Sequence, residues 1–383
     1  MSLFSILACA PSFLGPGMSD VTEGEVTAYT RNAPVQVGKF REGGFHAVVV
    51  AGKNNVWAVG AEGDILEGSQ DYVIVQSTDS GFSWTRKMLI AGSCLTDIYF
   101  QNALTGWVVG SSESLSEVLI LRTTDGGQSW ARQQSPVKGP GLWLVRFISE
   151  STGWIVGSSG QVLRTKDGGA HWLSRQLAFG SVNNQFTGYA DAFSFADELN
   201  GWVVGGMGQA YQSTDGGANW QSRATQLSRI IKVYKPWQID IREVRFFNKN
   251  LGCMIVQVND KSEPEPANWS LKKMVILRTE NGGRDWKVRR TFKSLWLSRA
   301  QFLNENDWWL QLSSGNLLHT TDGGKTWSEM KADPDRFSSR VMLFLDSNTG
   351  WLFSFFSGFH GSNLLTRDGG KSWVAQRIEY LTQ

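Results

Sequence analysis

The sequence predicts an all-β fold, a single seven-bladed β-propeller of four-stranded blades. Three observations predict it: a turn motif that occurs seven times, an apolar strand about 20 residues before each copy, and a composition rich in glycine and aromatic residues. The 383 residues include 42 Gly, 18 Trp and 21 Phe, and only 19% are charged. Such a composition is typical of short strands, tight turns and aromatic packing, and it argues against a helical or disordered chain.

The turn motif is an Asp-box hairpin, as in Thr123-Thr-Asp-Gly-Gly-Gln-Ser-Trp130. Its acidic or amide position recurs at intervals of 41 to 66 residues, as expected for propeller blades. Asp-Gly provides the backbone conformations of a tight turn, and the carboxylate can accept hydrogen bonds from N–H groups of that turn. Because every repeat contains the box, we interpret these residues as structural and not catalytic: Asp79, Asp125, Asp167, Asp215, Asn281, Asp322 and Asp368.

Each box follows an alternating apolar strand, most clearly Gly106-Trp-Val-Val-Gly110, and that strand follows another that ends at an apolar anchor such as Phe100. Each repeat therefore predicts two strands, the hairpin and a further strand. We expect a signal-like or tether-like segment over 1–25 and the propeller over 26–383. The predicted blades lie near 44–90, 91–135, 136–178, 179–225, 226–294, 295–332 and 333–380. Residues 26–43 are expected to add an outer strand where the first blade meets the seventh.

Charge is distributed unevenly along the chain. Residues 223–299, which we call the basic sector, contain 17 Lys/Arg and 7 Asp/Glu, a net charge of +10, whereas the rest of the chain has 20 and 28, a net charge of −8. An acidic protein client or an anionic membrane surface is the expected partner, the alternative being an ordinary solvated face. Nucleic acid is not expected, because the pI is near 8.4 and no recognition motif occurs. The candidate binding residues are Arg223, Arg229, Lys232, Lys235, Trp237, Arg242 and Arg245.

The innermost strands offer a second candidate site, because they line the central channel of a propeller. Their polar positions, counted back from the apolar anchors, are Asp97, Tyr99, Arg146, Glu243, Arg245, Arg299 and Gln301. The mixed signs indicate internal ion pairing first, and binding of a small ligand is the alternative.

The sequence contains no pattern that points to catalysis. His46, His171, His319 and His360 lie in different repeats without the spacing of a zinc site, so we expect neither a metal nor a cofactor. Asp boxes also occur in sialidases and some endoglucanases, but the nearest match to a sialidase start, Phe40-Arg41-Glu42, lacks the proline. A glycoside hydrolase-like or carbohydrate-binding propeller therefore remains the alternative to a binding scaffold.

The N-terminal segment resembles an export signal. Ile6-Leu7-Ala8-Cys9 is similar to a bacterial lipobox, although the basic region before it is missing. Either the true start lies upstream, or this is a chance apolar opening and Met18 is the start. We expect an extracytoplasmic location, in a periplasm or lumen, with Cys9 as the lipidation candidate. No apolar run is long enough to span a membrane. Cys94 and Cys253 are expected to be buried thiols.

The combination Thr105-Gly-Trp-Val-Val-Gly110 and Leu121-Arg-Thr-Thr-Asp-Gly-Gly-Gln-Ser-Trp130 resembles the photosystem II stability/assembly factor-like propellers of the BNR (Asp-box) group. The resemblance covers roughly residues 44–380, and the 66-residue interval between the fourth and fifth boxes departs from it. It implies an exported, non-enzymatic factor with a basic surface patch that binds a membrane-protein client. The sequence thus predicts a non-catalytic binding or assembly scaffold.

Overall fold

The computed structural model describes residues 43–52, 54–62, 71–112, 114, 116–139, 141–157, 160–179, 181–182, 185–186, 190–233, 238–260, 270–331, 339–354, 363–376 and 379–381. Within these residues the chain forms six antiparallel four-stranded sheets, one five-stranded sheet, a two-stranded hairpin and one α-helix. The sheets are the blades of a seven-bladed β-propeller, as the sequence predicts.

The strands follow each other in the order of the chain within every blade. Blade 1 contains β1 (Gly43–Val50), β2 (Val56–Glu62), β3 (Asp71–Ser77) and β4 (Ser83–Ile90). Blade 2 contains β5 (Ser93–Phe100), β6 (Gly106–Ser112), β7 (Val118–Thr123) and β8 (Ala131–Arg132). Blade 3 contains β9 (Leu142–Phe147), β10 (Gly153–Gly157), β11 (Gln161–Thr165) and β12 (Leu173–Gln176). The hairpin β13 (Ser181–Val182) and β14 (Gln185–Phe186) follows.

Blade 4 contains β15 (Ala190–Phe195), β16 (Gly201–Gly205), β17 (Ala210–Ser213) and β18 (Gln221–Ser222), and helix α1 (Ala224–Ile231) comes next. Blade 5 contains β19 (Ile239–Phe246), β20 (Gly252–Asp260), β21 (Ser270–Thr279) and β22 (Lys287–Lys293). Blade 6 contains β23 (Leu297–Phe302), β24 (Trp308–Leu312), β25 (Leu317–Thr320) and β26 (Ser328–Met330). Blade 7 contains β27 (Ser339–Phe344), β28 (Gly350–Ser354), β29 (Asn363–Thr366) and β30 (Val374–Gln376), and β31 (Glu379–Leu381) ends the described chain.

Aromatic stacks pack neighbouring blades against each other. In blades 1, 2, 3, 4 and 6 a tryptophan of the second strand packs on the anchor phenylalanine of the next blade, and Trp154 lies 3.5 Å from Phe195 between ring centroids, at 9°. The Trp154 indole N–H also donates to the carbonyl of Gly216, in the Asp box of that next blade, at 2.9 Å. The same stack recurs for Trp57, Trp107, Trp202 and Trp309 on Phe100, Phe147, Phe246 and Phe344. Stacked, fully buried rings of this kind provide most of the area that holds blade on blade.

The ring closes through the end of the chain. Strand β31 adds to the outer edge of β4 in the parallel direction, pairing Glu379 with Ser83 and Leu381 with Thr85. Blade 1 therefore has five strands, and blades 1 and 7 share one core that includes Phe45 and Phe353. The outer strand expected within 26–43 falls almost wholly outside the described residues, and the described closing strand comes from the opposite end of the chain.

Helix α1 occupies part of the long interval between the fourth and fifth boxes. The all-β prediction contains no helix there, and the structure forms one because Leu227 and Ile231 are buried in the core that blades 4 and 5 share. Lys232 ends the helix in the left-handed conformation, at φ 56°. The helix thus fixes this segment against the ring and leaves its polar face outside.

The two described cysteines differ in chemical state. Cys253 is a buried free thiol, as expected. Cys94 is also buried but is disulfide-bonded, so the expectation of a free thiol is wrong for Cys94.

Candidate binding sites in the channel and on the basic sector

The Asp boxes form the same hydrogen-bond network in each blade. In the sixth, the Asp322 carboxylate accepts from the Thr320 hydroxyl at 2.8 Å and from the Thr326 N–H and hydroxyl at 3.0 and 2.6 Å. Asn281 accepts from the N–H of Asp285 in the same way, at 2.9 Å. Such bonds favour the ionised form, and they lower the pKa of Asp125, Asp167, Asp215 and Asp368 to about 2. These carboxylates brace their turns and are poor proton donors.

A β-bulge interrupts each innermost strand at the same place. The pairing with the second strand shifts between Leu95 and Asp97 in blade 2, and at the equivalent position in the other six blades. A bulge re-aims the extra side chain. Six of these extra residues line a channel cavity of about 470 Å³: His46, Thr96, Trp143, Asp191, Arg242 and Ser298.

The channel cavity is lined by opposite charges that partly pair. Asp97 is buried, forms an ion pair with Arg146 and accepts from the N–H of Val145 at 2.9 Å. Asp191 lies 3.4 Å from Arg242 between carboxylate oxygen and guanidinium nitrogen. Burial raises the pKa of Asp191 to about 6, although Arg242 opposes the shift.

Glu243 is a channel acid whose pKa is raised well above its usual range. Burial raises its pKa to about 7, although the charges of Arg245, Arg146 and Arg242 favour its ionised form. Glu243 is therefore only partly ionised near neutral pH. With Arg299, four arginines line the cavity, so its wall is net positive.

Two predicted channel residues hold neighbouring blades together. The Tyr99 hydroxyl donates to the carbonyl of Phe147 at 2.8 Å. The Gln301 amide donates to the carbonyl of Phe344 at 2.8 Å and accepts from the N–H of Phe344 at 2.7 Å. An innermost strand has an unpaired edge, so side chains of the adjacent blade satisfy its backbone groups. These two side chains are used for ring packing.

The structure divides the predicted basic sector between two surfaces. Arg242 and Arg245 line the channel. Arg223 bonds to the side chains of Gln212 and Gln221 at 3.0 and 3.1 Å, beside blade 4. Arg229 and Lys232 are exposed on α1. Lys235 and Trp237 lie outside the described residues.

Strand β22 and the turn before it provide cations of the basic sector that are not among the predicted binding residues. Arg284, Lys287, Arg290 and Lys293 are all exposed. Helix α1 lies beside them, since the Gln226 side-chain amide donates to the carbonyl of Arg284 at 2.6 Å. We call the exposed cations of α1 and β22 the rim patch: Arg229, Lys232, Arg284, Lys287, Arg290 and Lys293. The signal in the sequence was the run Lys287-Val-Arg-Arg-Thr-Phe-Lys293, which contains four cations in seven residues.

Within the described residues, no group of three or more His, Cys, Asp or Glu side chains could hold a metal ion. His46, His171 and His319 instead bond to Leu95, Asp167 and Asp307. The described part of the chain also contains no helix long and apolar enough to cross a membrane.

Comparison with known proteins agrees with these observations. Residues 136–222, in blades 3 and 4, match the family described as photosynthesis system II assembly factor YCF48, and residues 318–329 match the BNR/Asp-box repeat. The chain is thus similar to the photosystem II assembly factor-like propellers of the BNR group. This confirms the resemblance seen in the sequence. The photosystem II assembly lipoprotein Ycf48 of Synechococcus sp. (strain CC9902) is 30% identical over 105 residues, which is 26% of this chain and 30% of that protein.

Solved structures show the same fold over most of the propeller. YCF48 bound to D1 peptide has a TM-score of 0.59 at 18% identity, over 86% of this chain and 94% of that one. YCF48 from Cyanidioschyzon merolae has a TM-score of 0.56 at 18% identity, over 87% and 97%. An ancestral GH74 enzyme has a TM-score of 0.55 at 13% identity, over 89% of this chain but 47% of that one. At these identities the structural likeness establishes the fold alone.

Proposed function

We propose that this propeller is a non-catalytic binding scaffold that acts outside the cytoplasm and holds a membrane-protein client during its assembly. The observation that carries the proposal is the rim patch, six exposed cations on a helix and a strand fixed to a rigid ring. Cations in such a place contribute little to stability, so they are free to serve association. The proposal also draws on the relatives, one of which is an assembly lipoprotein and another of which binds a D1 peptide.

Capture of a client from native membranes tests the proposal. Replacing Arg229, Lys232 and Lys287 with Ser should leave the melting temperature nearly unchanged and weaken capture, and wild-type capture should fall as salt rises. The matched control replaces Lys325, Lys331 and Lys371 with Ser, three exposed lysines of blades 6 and 7. Equal yields of the same partners with both variants would refute a role for the patch.

The proposal excludes enzymatic turnover, because two of the channel acids lie against arginines and are not available for catalysis. Asp97 is paired with Arg146, and Asp191 lies against Arg242. Glu243, with its raised pKa, is the residue on which a hydrolase would have to rely as a general acid. Hydrolysis of sialosides or β-glucans by the wild type, abolished in Glu243→Gln, would establish the enzyme alternative.

The proposed location rests on the lipobox-like segment Ile6-Leu7-Ala8-Cys9. Cys9 itself lies outside the described residues. Mass spectrometry of the native N-terminus, run without reductant, should find an upstream cleavage or a diacylglyceryl-modified Cys9. An unmodified Met1 or Met18 in a cytosolic fraction would contradict the location.

A further inference from the structure

The outer edge of blade 5 differs from the outer edges of the other blades. Strand β22 is seven residues long and ends its sheet, whereas the outer strands of blades 2, 3, 4, 6 and 7 have two to four residues in the described structure. Only β4 of blade 1, with eight residues, is comparable. A strand that ends a sheet presents backbone N–H and C=O groups that another strand can pair with.

The fold itself shows how such an edge is used. The edge of β4 is covered by β31, which pairs with Ser83, Trp84 and Thr85. These are the fourth to sixth residues after the box aspartate Asp79. The equivalent residues of blade 5, counted from Asn281, are Asp285, Trp286 and Lys287.

The two edges also share an irregularity. A bulge falls at Lys87 in β4 and at Arg289 in β22, each eight residues after the box position. Bulges commonly protect edges from pairing. Strand β31 nevertheless pairs with β4, because it binds ahead of the bulge. In blade 5 the bulge leaves the start of β22 regular as well, and of the three equivalent residues Lys287 belongs to the strand whereas Asp285 and Trp286 precede it.

The charge around β22 selects the kind of strand that can pair there. Lys287, Arg290 and Lys293 are exposed along the strand, Arg284 precedes it, and α1 adds Arg229. Lysines on an edge discourage pairing with neutral or basic segments. An acidic segment experiences attraction instead of repulsion, so the same charges give specificity. Val288, 49% exposed, adds an apolar contact on this edge.

We propose that the outer edge of β22 binds an extended acidic peptide segment, which adds to blade 5 as a fifth strand in the way that β31 adds to blade 1. The proposal rests on the proposed function, since it names the chemistry of the client segment that the scaffold holds. In such binding, main-chain hydrogen bonds provide affinity and the side chains on alternate positions provide selectivity.

The test uses the full chain and a fluorescent synthetic peptide of nine residues in which Glu alternates with Val. Two further versions of the peptide are N-methylated on alternate backbone nitrogens. One version is methylated on the odd-numbered residues and the other on the even-numbered residues, so the methyl groups of the two versions lie on opposite edges of the peptide strand. If the peptide adds as a strand, one phase should lose at least about tenfold in affinity, because its methyl groups face β22, and the other phase should bind like the parent. Equal binding of the two methylated peptides overturns the proposal, because attraction between charges alone does not depend on phase.

Protein variants locate the site. Lys287→Glu, Arg290→Glu and Lys293→Glu together should abolish measurable peptide binding, whereas Lys325→Glu, Lys331→Glu and Lys371→Glu, with the same change in charge, should weaken it less than threefold. A circular dichroism spectrum like that of the wild type shows that each variant is folded. Binding that survives the β22 triple variant overturns the proposal. If the β22 triple variant loses peptide binding but captures the client from membranes as well as the wild type does, the proposed function is refuted while the peptide site stands, so the two conclusions fail separately.

Discussion

Glu243 makes the stability of the ring depend on pH in a defined direction. Its pKa is raised by burial from 4.5 to about 7. A raised acid pKa means that the folded state binds the proton more tightly than the unfolded state. The contribution of Glu243 to stability is therefore fully present below about pH 4.5 and is lost as the pH rises through about 7.

The structure sets the size of this effect. One pKa unit corresponds to about 1.4 kcal/mol, so ionisation of Glu243 above pH 8 costs on the order of 3 kcal/mol. Glu243→Gln removes the ionisation and keeps the shape of the side chain. The substitution also removes the attraction between ionised Glu243 and the arginines Arg245 and Arg146. Protonated Glu243 lacks this attraction too, so its loss matters only at high pH. We therefore expect a gain of about 1 to 3 kcal/mol at pH 8.5 and almost none at pH 5.

Guanidinium denaturation at pH 5 and pH 8.5 measures the difference between Glu243→Gln and the wild type. Glu280→Gln is the matched control, because Glu280 is exposed on the same blade. The reasoning is refuted if Glu243→Gln destabilises the protein equally at both pH values, since Glu243 would then act as an ionised partner of the arginines.

Three further perturbations test the packing of the ring. The Asp boxes, whose pKa values lie near 2 at Asp368 and three others, should lose their contribution as the pH falls from about 4 to about 2, and an acid titration of tryptophan fluorescence in mild denaturant should show this loss. Gly283→Ala should cost about 2 kcal/mol more than Gly139→Ala, because both have positive φ but only the first places its Cβ 2.4 Å from Trp202; thermal melts of the two variants compare them. Trp154→Phe should lower the free energy of unfolding by about 1 to 3 kcal/mol in chemical denaturation, because the Gly216 carbonyl loses its buried donor. An unchanged denaturation midpoint would show that water replaces the indole N–H.

The fold was predictable from the sequence because every blade repeats the same motifs, an Asp box and an apolar anchor. Seven boxes and seven anchors gave the number of blades. The glycine that precedes the strand tryptophan in blades 2, 3, 4 and 7 follows from packing, since a Cβ at Gly201 would lie 2.3 Å from the Phe195 ring. The ring closure was not predictable, since β31 is three residues long and has no box. Helix α1 was missed because its apolar residues Leu227 and Ile231 are too few to give a clear helical period.

The candidate sites were predictable only in part. Counting back from the anchors located Asp97, Arg146 and Glu243 on the channel, because alternation along a strand fixes which side chains share a face. The bulge residues were missed, since a bulge adds one residue and breaks that alternation, and nothing in the sequence marks the extra position. Arg242 was assigned to an outer surface for this reason, and the structure places it in the channel wall opposite Asp191.

Blade 5 departs from the other blades at both edges of its sheet. Its innermost strand carries Glu243 between Arg242 and Arg245, and its outermost strand β22 is long, basic and uncovered in the described structure. In a ring of repeats, each blade needs only to match its two neighbours, and the other blades close the ring with short outer strands. Packing therefore does not require the additional length or charge of blade 5. Since these features are exposed to solvent or to the channel, the surfaces of blade 5 are where binding to a partner is expected, with the rim for an extended segment and the channel for a smaller anionic group.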